Sequence, residues 1–160
     1  MASSLSFIVV LFGLWVGANA SCCAEDGNCP SCPSGWTNFG DRCFIYHSTP
    51  KDWADAEVTC LNAGGNLVSY HSKEEYDFIK ATIKRVTGQD RRIWAGGYDG
   101  PKNKVWLWSD GSDFNYANWG RGEPNNGGGT EHCMELNWRG NPNDHQCHHK
   151  KPFMCSMDME

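Results

Sequence analysis

Nine cysteines constrain this chain of 160 residues more than any other feature. All nine follow an apolar run from Phe7 to Val16, which is too short for a comfortable membrane span. Because Ala18-Asn19-Ala20 has the small-residue pattern of a signal-peptidase site, we predict a signal peptide over residues 1–20. The alternative for the apolar run is a buried N-terminal helix. Cysteines behind a secretory signal are typical of a disulfide framework, so we expect a secreted, extracellular protein with no membrane span.

The remaining chain divides by composition into three segments. Residues 21–31 form a short Cys-containing leader with too few apolar residues to fold alone, residues 32–156 form one globular domain, and residues 157–160 form a tail. The formal net charge of −5 disfavours nucleic acid or an anionic membrane as the partner. No motif supports nucleophilic catalysis, so we do not expect an enzyme.

Two helices are predicted in the first half of the domain. The first has an N-cap at Thr49 and a proline at its first position, and its apolar face would contain Trp53, Ala56 and Cys60. The second begins with a capping box from Ser72 to Glu75 and ends near Gly88. Its apolar face would contain Tyr76, Ile79, Ile83 and Val86.

Short aromatic segments of β-prone residues follow the helices. They cover residues 93–97, 105–108 and 134–138, with connections rich in Gly, Asn, Asp and Pro. Helices followed by short strands predict an α+β fold. The stretch from Pro101 to Gly129 has little periodic pattern beyond its Trp-rich strand, and a loop of this length is typically functional.

Five acidic and amide side chains lie in and after this loop. Together they offer three carboxylates and two amide carbonyls, the hard oxygen donors that Ca²⁺ prefers. They are Glu123, Asn125, Glu131, Asn143 and Asp144. If the bond before Pro124 is cis, the flanking side chains of Glu123 and Asn125 would turn toward one point.

A calcium ion held by this set would keep positions open for two adjacent hydroxyls of a sugar. Each hydroxyl has two lone pairs and one proton. One lone pair would go to calcium, and the other would accept an N–H of Asn125 or Asn143. The proton would go to Glu123 or Glu131, so that every group on the diol is satisfied.

The residues around this set resemble the long-form C-type lectin domain across residues 32–156. The motifs that carry the resemblance are six cysteines (Cys32, Cys43, Cys60, Cys133, Cys147 and Cys155), Trp94-Ala-Gly-Gly97, Trp106-Leu-Trp-Ser-Asp-Gly111, Asn118-Trp119 and Glu123-Pro-Asn125. The resemblance implies two helices, small antiparallel sheets and a long calcium- and sugar-binding loop region. It also implies the disulfides Cys32–Cys43, Cys60–Cys155 and Cys133–Cys147, and calcium and sugar sites at Glu123, Asn125, Glu131, Asn143 and Asp144.

The chain departs from the family pattern at two places. Pro142 precedes the Asn-Asp pair where members usually have Trp. Asp99 fits an auxiliary calcium site, but Asn103, Asn126 and His132 stand where acids are usual, so we expect that site to be weak or absent.

Two other metal or redox patterns are weaker. His145, His148 and His149 around Cys147 could indicate zinc, but with that cysteine in an implied disulfide we favour surface histidines. The Cys29–Cys32 spacing resembles a redox motif but lacks its βαβ context.

The resemblance associates the order Glu-Pro-Asn with mannose, fucose or N-acetylglucosamine, and the order Gln-Pro-Asp with galactose. The leading hypothesis is therefore a mannose-type lectin that recognises microbial or cell-surface glycans in innate defence. In style the chain resembles fish lectins, whose relatives include type II antifreeze proteins and venom lectins. An ice-binding protein and a venom or matrix protein with a protein partner are the alternatives.

The remaining cysteines, Cys22, Cys23 and Cys29, predict a disulfide-linked homodimer or oligomer. Two of them can pair locally, which leaves one thiol in an oxidising compartment where exposed free cysteine seldom persists. On a non-reducing gel we expect a band at twice the monomer mass that reductant converts to monomer. A monomer band unchanged by reductant, with a thiol found capped by mass spectrometry, would contradict the dimer.

Overall fold

The computed structural model describes residues 31–159; the predicted signal peptide and Cys22, Cys23 and Cys29 lie outside them. Two α-helices and eight strands follow one another along this part of the chain. In chain order the elements are β1 (Thr37–Phe39), β2 (Arg42–Lys51), α1 (Trp53–Asn62), β3 (Asn66–Leu67), α2 (Lys73–Thr87), β4 (Ile93–Tyr98), β5 (Leu107–Trp108), β6 (Cys133–Trp138), β7 (Asn141–His145) and β8 (Lys151–Asp158).

The strands form one connected sheet, and this confirms the α+β class. The main strand order is β1-β2-β8-β4-β6-β7, while β3 pairs with β8 and β5 pairs with β4. Every pairing is antiparallel except that of β4 with β8. The family resemblance implied two helices with small antiparallel sheets, and the sequence placed the strands after the helices. In the structure β1 and β2 precede α1, and β8 carries the C-terminal segment back between β2 and β4.

Helix α1 begins three residues later than predicted. Thr49 and Pro50 belong to the end of β2, because Lys51 still pairs with Lys151 on β8. The N-cap is Asp52, whose carboxylate accepts the backbone N–H of Asp55 at 2.9 Å. The prediction of an N-cap at Thr49 is therefore wrong, since sheet pairing extends through the predicted start of the helix.

Helix α2 begins and ends where the sequence predicts. Ser72 accepts the N–H of Glu75 at 3.1 Å, and Gly88 ends the helix with a left-handed φ of 73°. The Glu75 carboxylate reaches back to the N–H of His71 at 2.7 Å, one residue before the cap. Val86 is 55% exposed and does not belong to the buried face, because the last turn of α2 extends beyond the core.

Three disulfides link parts of the described chain, two of them locally and one across most of the domain. They are Cys32–Cys43, Cys60–Cys155 and Cys133–Cys147, the pairs that the family resemblance implies. Cys60–Cys155 connects α1 to β8 across 95 positions. Cys133–Cys147 closes the β6–β7 hairpin, so it encloses the strand that carries Asn143 and Asp144.

Aromatic side chains anchor the base of the long loop in the core. Trp106 and Trp108 are 8% and 2% exposed. Trp106 packs against Trp119 with ring centroids 4.7 Å apart, and Trp108 packs against Phe114 at 4.9 Å. Both ends of the segment between β5 and residue 120 are thereby fixed, which leaves residues 120–131 to form the outer part of the loop.

No helix within residues 31–159 is long and apolar enough to cross a membrane.

Candidate functional site

The outer loop is tied to β7 through the backbone of Pro142. Gly120 donates its N–H to the Pro142 carbonyl at 2.9 Å, and Glu123 donates to the Gly120 carbonyl at 2.9 Å. Pro142 has no N–H to give to β6, and it lies where the β6–β7 register shifts. Proline therefore stands before Asn143 at a point where the regular β6–β7 ladder is already interrupted.

The Glu123–Pro124 peptide bond is cis. The side chains on either side of it are in contact, since the Asn125 amide nitrogen donates to the Glu123 carboxylate. The cis bond and the meeting of these two side chains are the arrangement that the sequence suggested for this tripeptide.

Asp144 joins the loop to the sheet from a buried position on β7. Its side chain is 1% exposed. One carboxylate oxygen accepts the N–H of Asn125 at 3.1 Å, and the other accepts the N–H of Asn126 at 2.6 Å. A buried carboxylate that accepts two backbone N–H groups is held firmly in place.

Glu131 turns back toward the same loop. Its Oε2 accepts the N–H of Gly127 at 2.8 Å, and its own N–H donates to Asn126 Oδ1 at 3.0 Å. A Cβ atom placed on Gly127 would lie 2.7 Å from Glu131 Oε2 and 3.2 Å from Asn125 Oδ1. The oxygens of Glu131 and Asn125 therefore lie on the same side of Gly127, and only glycine leaves them this room.

Asn143 lies beside Asp144 on β7 and is 6% exposed. Its amide nitrogen donates to Glu135 Oε1 on β6 at 3.0 Å. No hydrogen bond to Asn143 Oδ1 is made within residues 31–159, so this oxygen is available to another group. Hydrogen bonds in and to the outer loop thus connect four of the five predicted ligands, namely Glu123, Asn125, Glu131 and Asp144. The fifth, Asn143, is held by Glu135 on β6.

Burial and two neighbouring carboxylates shift the pKa of Glu123. The pKa of Glu123 is raised, first by burial and then by Asp144, which lies in hydrogen-bonding contact and adds negative charge. The charge of Glu131 raises this pKa further, whereas the Asn125 amide opposes the shift. Two neighbouring carboxylates that disfavour the charged form of Glu123 make a place where a cation would be stabilised.

The donor set fits calcium only if the amide oxygens take part. Within the part of the chain that the structure describes, no group of three or more His, Cys, Asp or Glu side chains is placed to hold a metal. The carboxylates and the oxygens of Asn125 and Asn143 are the hard ligands that Ca²⁺ takes in larger number. Soft or borderline ions such as zinc have no matching arrangement here.

The residues of the predicted auxiliary site contact one another in pairs. One carboxylate oxygen of Asp99 lies 2.8 Å from His132 Nδ1. The other accepts the backbone N–H of Lys104 at 2.7 Å. Asn126 donates to Asn103 at 3.1 Å. Asp99 is the one acid in this set, so a weak or absent auxiliary site remains the prediction.

The histidines near the end of β7 form a ring cluster. His149 lies 4.7 Å from His145 and 4.6 Å from His148 between ring centroids. Cys147 is in a disulfide and cannot serve as a thiolate ligand. The arrangement favours the interpretation as surface histidines.

Sequence reasoning missed a buried ion pair behind Asn143. Glu135 on β6 is fully buried, and Lys151 Nζ lies 2.7 Å from its Oε2. In the sequence, Met134-Glu135-Leu136 looks like an ordinary strand with one outward acid. The burial of Glu135 follows from its position opposite Asn143 in the β6–β7 register, which the sequence alone does not give.

Comparisons with known proteins place the chain among sugar-binding and related proteins. The model of the family described as "Lectin C-type domain" matches residues 49–157. The galactose-specific lectin nattectin from Thalassophryne nattereri is 43% identical over 163 residues, which cover 99% of this chain and all of that protein. Two solved structures are similar over 81% of this chain, each 32% identical. They are a herring type II antifreeze protein, covered completely at a TM-score of 0.75, and the cow carbohydrate-recognition domain of CD23 in the presence of an oligosaccharide, 98% covered at 0.74.

Gly127→Ala should disrupt the site without unfolding the domain. The new Cβ would displace Glu131 Oε2 and Asn125 Oδ1, so we expect calcium affinity measured by calorimetry to fall about tenfold or more. The matched control is Gly100→Ala, where an added Cβ meets nothing within 4 Å. Equal calcium affinity in both variants would mean that these two oxygens do not bind the ion.

Proposed function

The chain belongs to the C-type lectin domain family, and we propose that it binds carbohydrate through a calcium ion. The ligands of that ion in our proposal are Glu123, Asn125, Glu131, Asn143 and Asp144. The observation that carries the proposal is the pair of hydrogen bonds from the loop backbone to the buried Asp144 carboxylate. They bring the Glu-Pro-Asn loop against the strand that carries the last two ligands.

Bound calcium would supply coordination positions for two neighbouring hydroxyls of a sugar ring. The residues of this chain would do the rest of the recognition. The carboxylates of Glu123 and Glu131 accept hydroxyl protons, and the amides of Asn125 and Asn143 donate N–H groups to the remaining lone pairs. Charge-assisted hydrogen bonds to the acids make this pairing competitive with water.

The order of acid and amide favours mannose-type sugars, including fucose and N-acetylglucosamine. Glu123 precedes the proline and Asn125 follows it, which sets the acceptor on one side of the diol and the donor on the other. The similarity to nattectin makes galactose the competing class, because that relative is described as galactose-specific. Relative inhibition by the two sugars decides between them.

We further propose secretion and a role in defence against glycan-coated surfaces. Three disulfides support an oxidising compartment, and the relatives reported above are binding proteins rather than enzymes. One exposed site should bind a single sugar weakly. A disulfide-linked homodimer would raise avidity by roughly 10²–10⁴ if its two sites span the ligand.

Ice binding is the second candidate, favoured by the similarity to the herring type II antifreeze protein. It makes a different demand on the protein, since an ice surface needs a flat, regular face rather than ligands for a diol. Ice-growth inhibition by the wild-type protein, with no retention on any sugar column, would favour this candidate over the lectin.

Retention on a mannose column should require calcium and be lost on mild acidification. The three carboxylates must be ionised to hold the ion, so protons compete with it. Because the pKa of Glu123 is raised, this competition begins at a higher pH than for an ordinary glutamate and strengthens as the pH falls. Circular dichroism at each pH separates loss of binding from unfolding. Full retention on the mannose column in excess EDTA would contradict the calcium-bridged mechanism.

Glu123→Gln with Asn125→Asp should shift preference from mannose toward galactose. The pair of substitutions keeps size and oxygens but reverses donor and acceptor across the diol. The galactose affinity gained should be modest, because the loop over residues 126–129 has no bulky aromatic to pack on a sugar face.

The matched control makes the same two exchanges at exposed positions away from the site, as Glu74→Gln with Asn62→Asp. Competition by mannose and galactose on an immobilised glycan measures the preference of both variants. An unchanged ratio in the site variant would refute the assigned roles of Glu123 and Asn125.

A further inference from the structure

A charged cluster lies buried directly behind the proposed site. Glu135 on β6 is fully buried and stands opposite Asn143 in the β6–β7 register. Its Oε1 accepts the Asn143 amide nitrogen at 3.0 Å, and its Oε2 lies 2.7 Å from Lys151 Nζ on β8. Arg92 Nη1 lies 3.8 Å from Oε1. The Glu135 carboxylate of β6 thus contacts both the Asn143 amide on β7 and the Lys151 ammonium on β8.

Burying this carboxylate carries a desolvation cost that its partners must offset. The Lys151 ammonium supplies charge, and its contact with Oε2 is an ion pair outside hydrogen-bond geometry. The ammonium also lies 4.9 Å from the Trp94 ring centroid, which holds the chain of Lys151 against the core. The one well-formed side-chain hydrogen bond of Glu135 within the described residues goes to Asn143.

We propose that Glu135 is a positioning residue that fixes which end of the Asn143 amide faces the site. The inference rests on the proposed function. An ionised carboxylate only accepts hydrogen bonds, so the Asn143 NH₂ group must face Glu135. The carbonyl Oδ1 must then point away from Glu135.

This orientation matters because a reversed amide has the opposite chemistry. With Oδ1 directed away from Glu135, Asn143 offers an oxygen to a cation and keeps one N–H to donate to a hydroxyl. A half-turn of the amide would place its two N–H groups toward the cation. Glu135 therefore sets both the calcium affinity and the position of the N–H donor on this side of the diol, although it contacts neither the ion nor the sugar.

Glu135→Gln is the direct test, because glutamine offers both a donor and an acceptor to Asn143. Both amide orientations then become possible, and we expect calcium affinity by calorimetry to fall about 10–100-fold, the usual loss for an outer partner of a metal ligand. Glu75→Gln is the matched control. It removes a carboxylate from another partly buried ion pair, with Arg42 at 2.8 Å, and should lower thermal stability in EDTA while calcium affinity stays at the wild-type value.

A second exchange provides a readout that a purely structural role would not move. In Glu135→Gln with Asn143→Asp, the new amide donates to the new carboxylate, so one oxygen at position 143 again faces the site. We expect the double variant to regain most of the calcium affinity that Glu135→Gln loses. Asn143→Asp alone should bind weakly, because it sets two carboxylates against each other, and the two losses should not add.

Wild-type calcium affinity in folded Glu135→Gln, or additive losses in the double variant, would overturn the inference. If Glu135→Gln fails to fold, Glu135→Asp replaces it, because it keeps the charge but withdraws the oxygen from Asn143 by about one bond length. It should also bind calcium more weakly. If the wild-type protein binds no calcium at all, the proposed function fails together with this inference, whereas failure of the inference alone leaves wild-type binding intact.

Discussion

The buried carboxylate of Asp144 is the contact on which the loop geometry depends. The loop from Glu123 to Glu131 has no regular secondary structure beyond a short 3₁₀ turn at Gly127–Gly129. Its backbone donors need partners, and two consecutive ones, on Asn125 and Asn126, go to this single side chain. Without that carboxylate, the loop would lose two charge-assisted hydrogen bonds and its alignment with β7.

The rest of the fold makes the contact between Asp144 and the loop possible because it fixes the position of β7. Cys133–Cys147 closes the β6–β7 hairpin, and Gly120 ties the loop to the Pro142 carbonyl. Behind the strand, Glu135 on β6 accepts the Asn143 amide of β7 and pairs with Lys151 on β8, so it links β7 to two other strands. The proposed site therefore lies partly on an irregular loop, but its ligands are held by groups fixed in the sheet or by hydrogen bonds within the loop.

Local signals in the sequence predicted the helices well, except where the sheet competed with them. Ser72 and Gly88 are the cap and stop of α2, because their roles depend on neighbouring residues alone. Thr49 looks like an equally good cap, but β2 continues to Lys51 by pairing with β8, which lies about a hundred positions away in the chain. Val86 has the right spacing for the core face and lies outside it, since spacing does not tell where the core ends.

The oxygen donors of the proposed site could be named from the sequence, but the residues that support them could not. The family resemblance implied Glu123, Asn125, Glu131, Asn143 and Asp144 as ligands. Glu135 gave no such signal, because a single acid in a strand usually faces solvent and its partner Lys151 is distant in sequence. Pairing across β6, β7 and β8 creates that cluster, and it requires the three-dimensional register.

The most direct test of the account is a crystal structure of the protein grown with calcium and methyl α-mannoside. We predict one ion bound by side-chain oxygens of Glu123, Asn125, Glu131, Asn143 and Asp144. We also predict two neighbouring sugar hydroxyls on the same ion, with the Asn143 amide nitrogen still directed at Glu135. A sugar bound elsewhere on the domain, or a site that takes no ion at saturating calcium, would contradict the calcium-bridged mechanism.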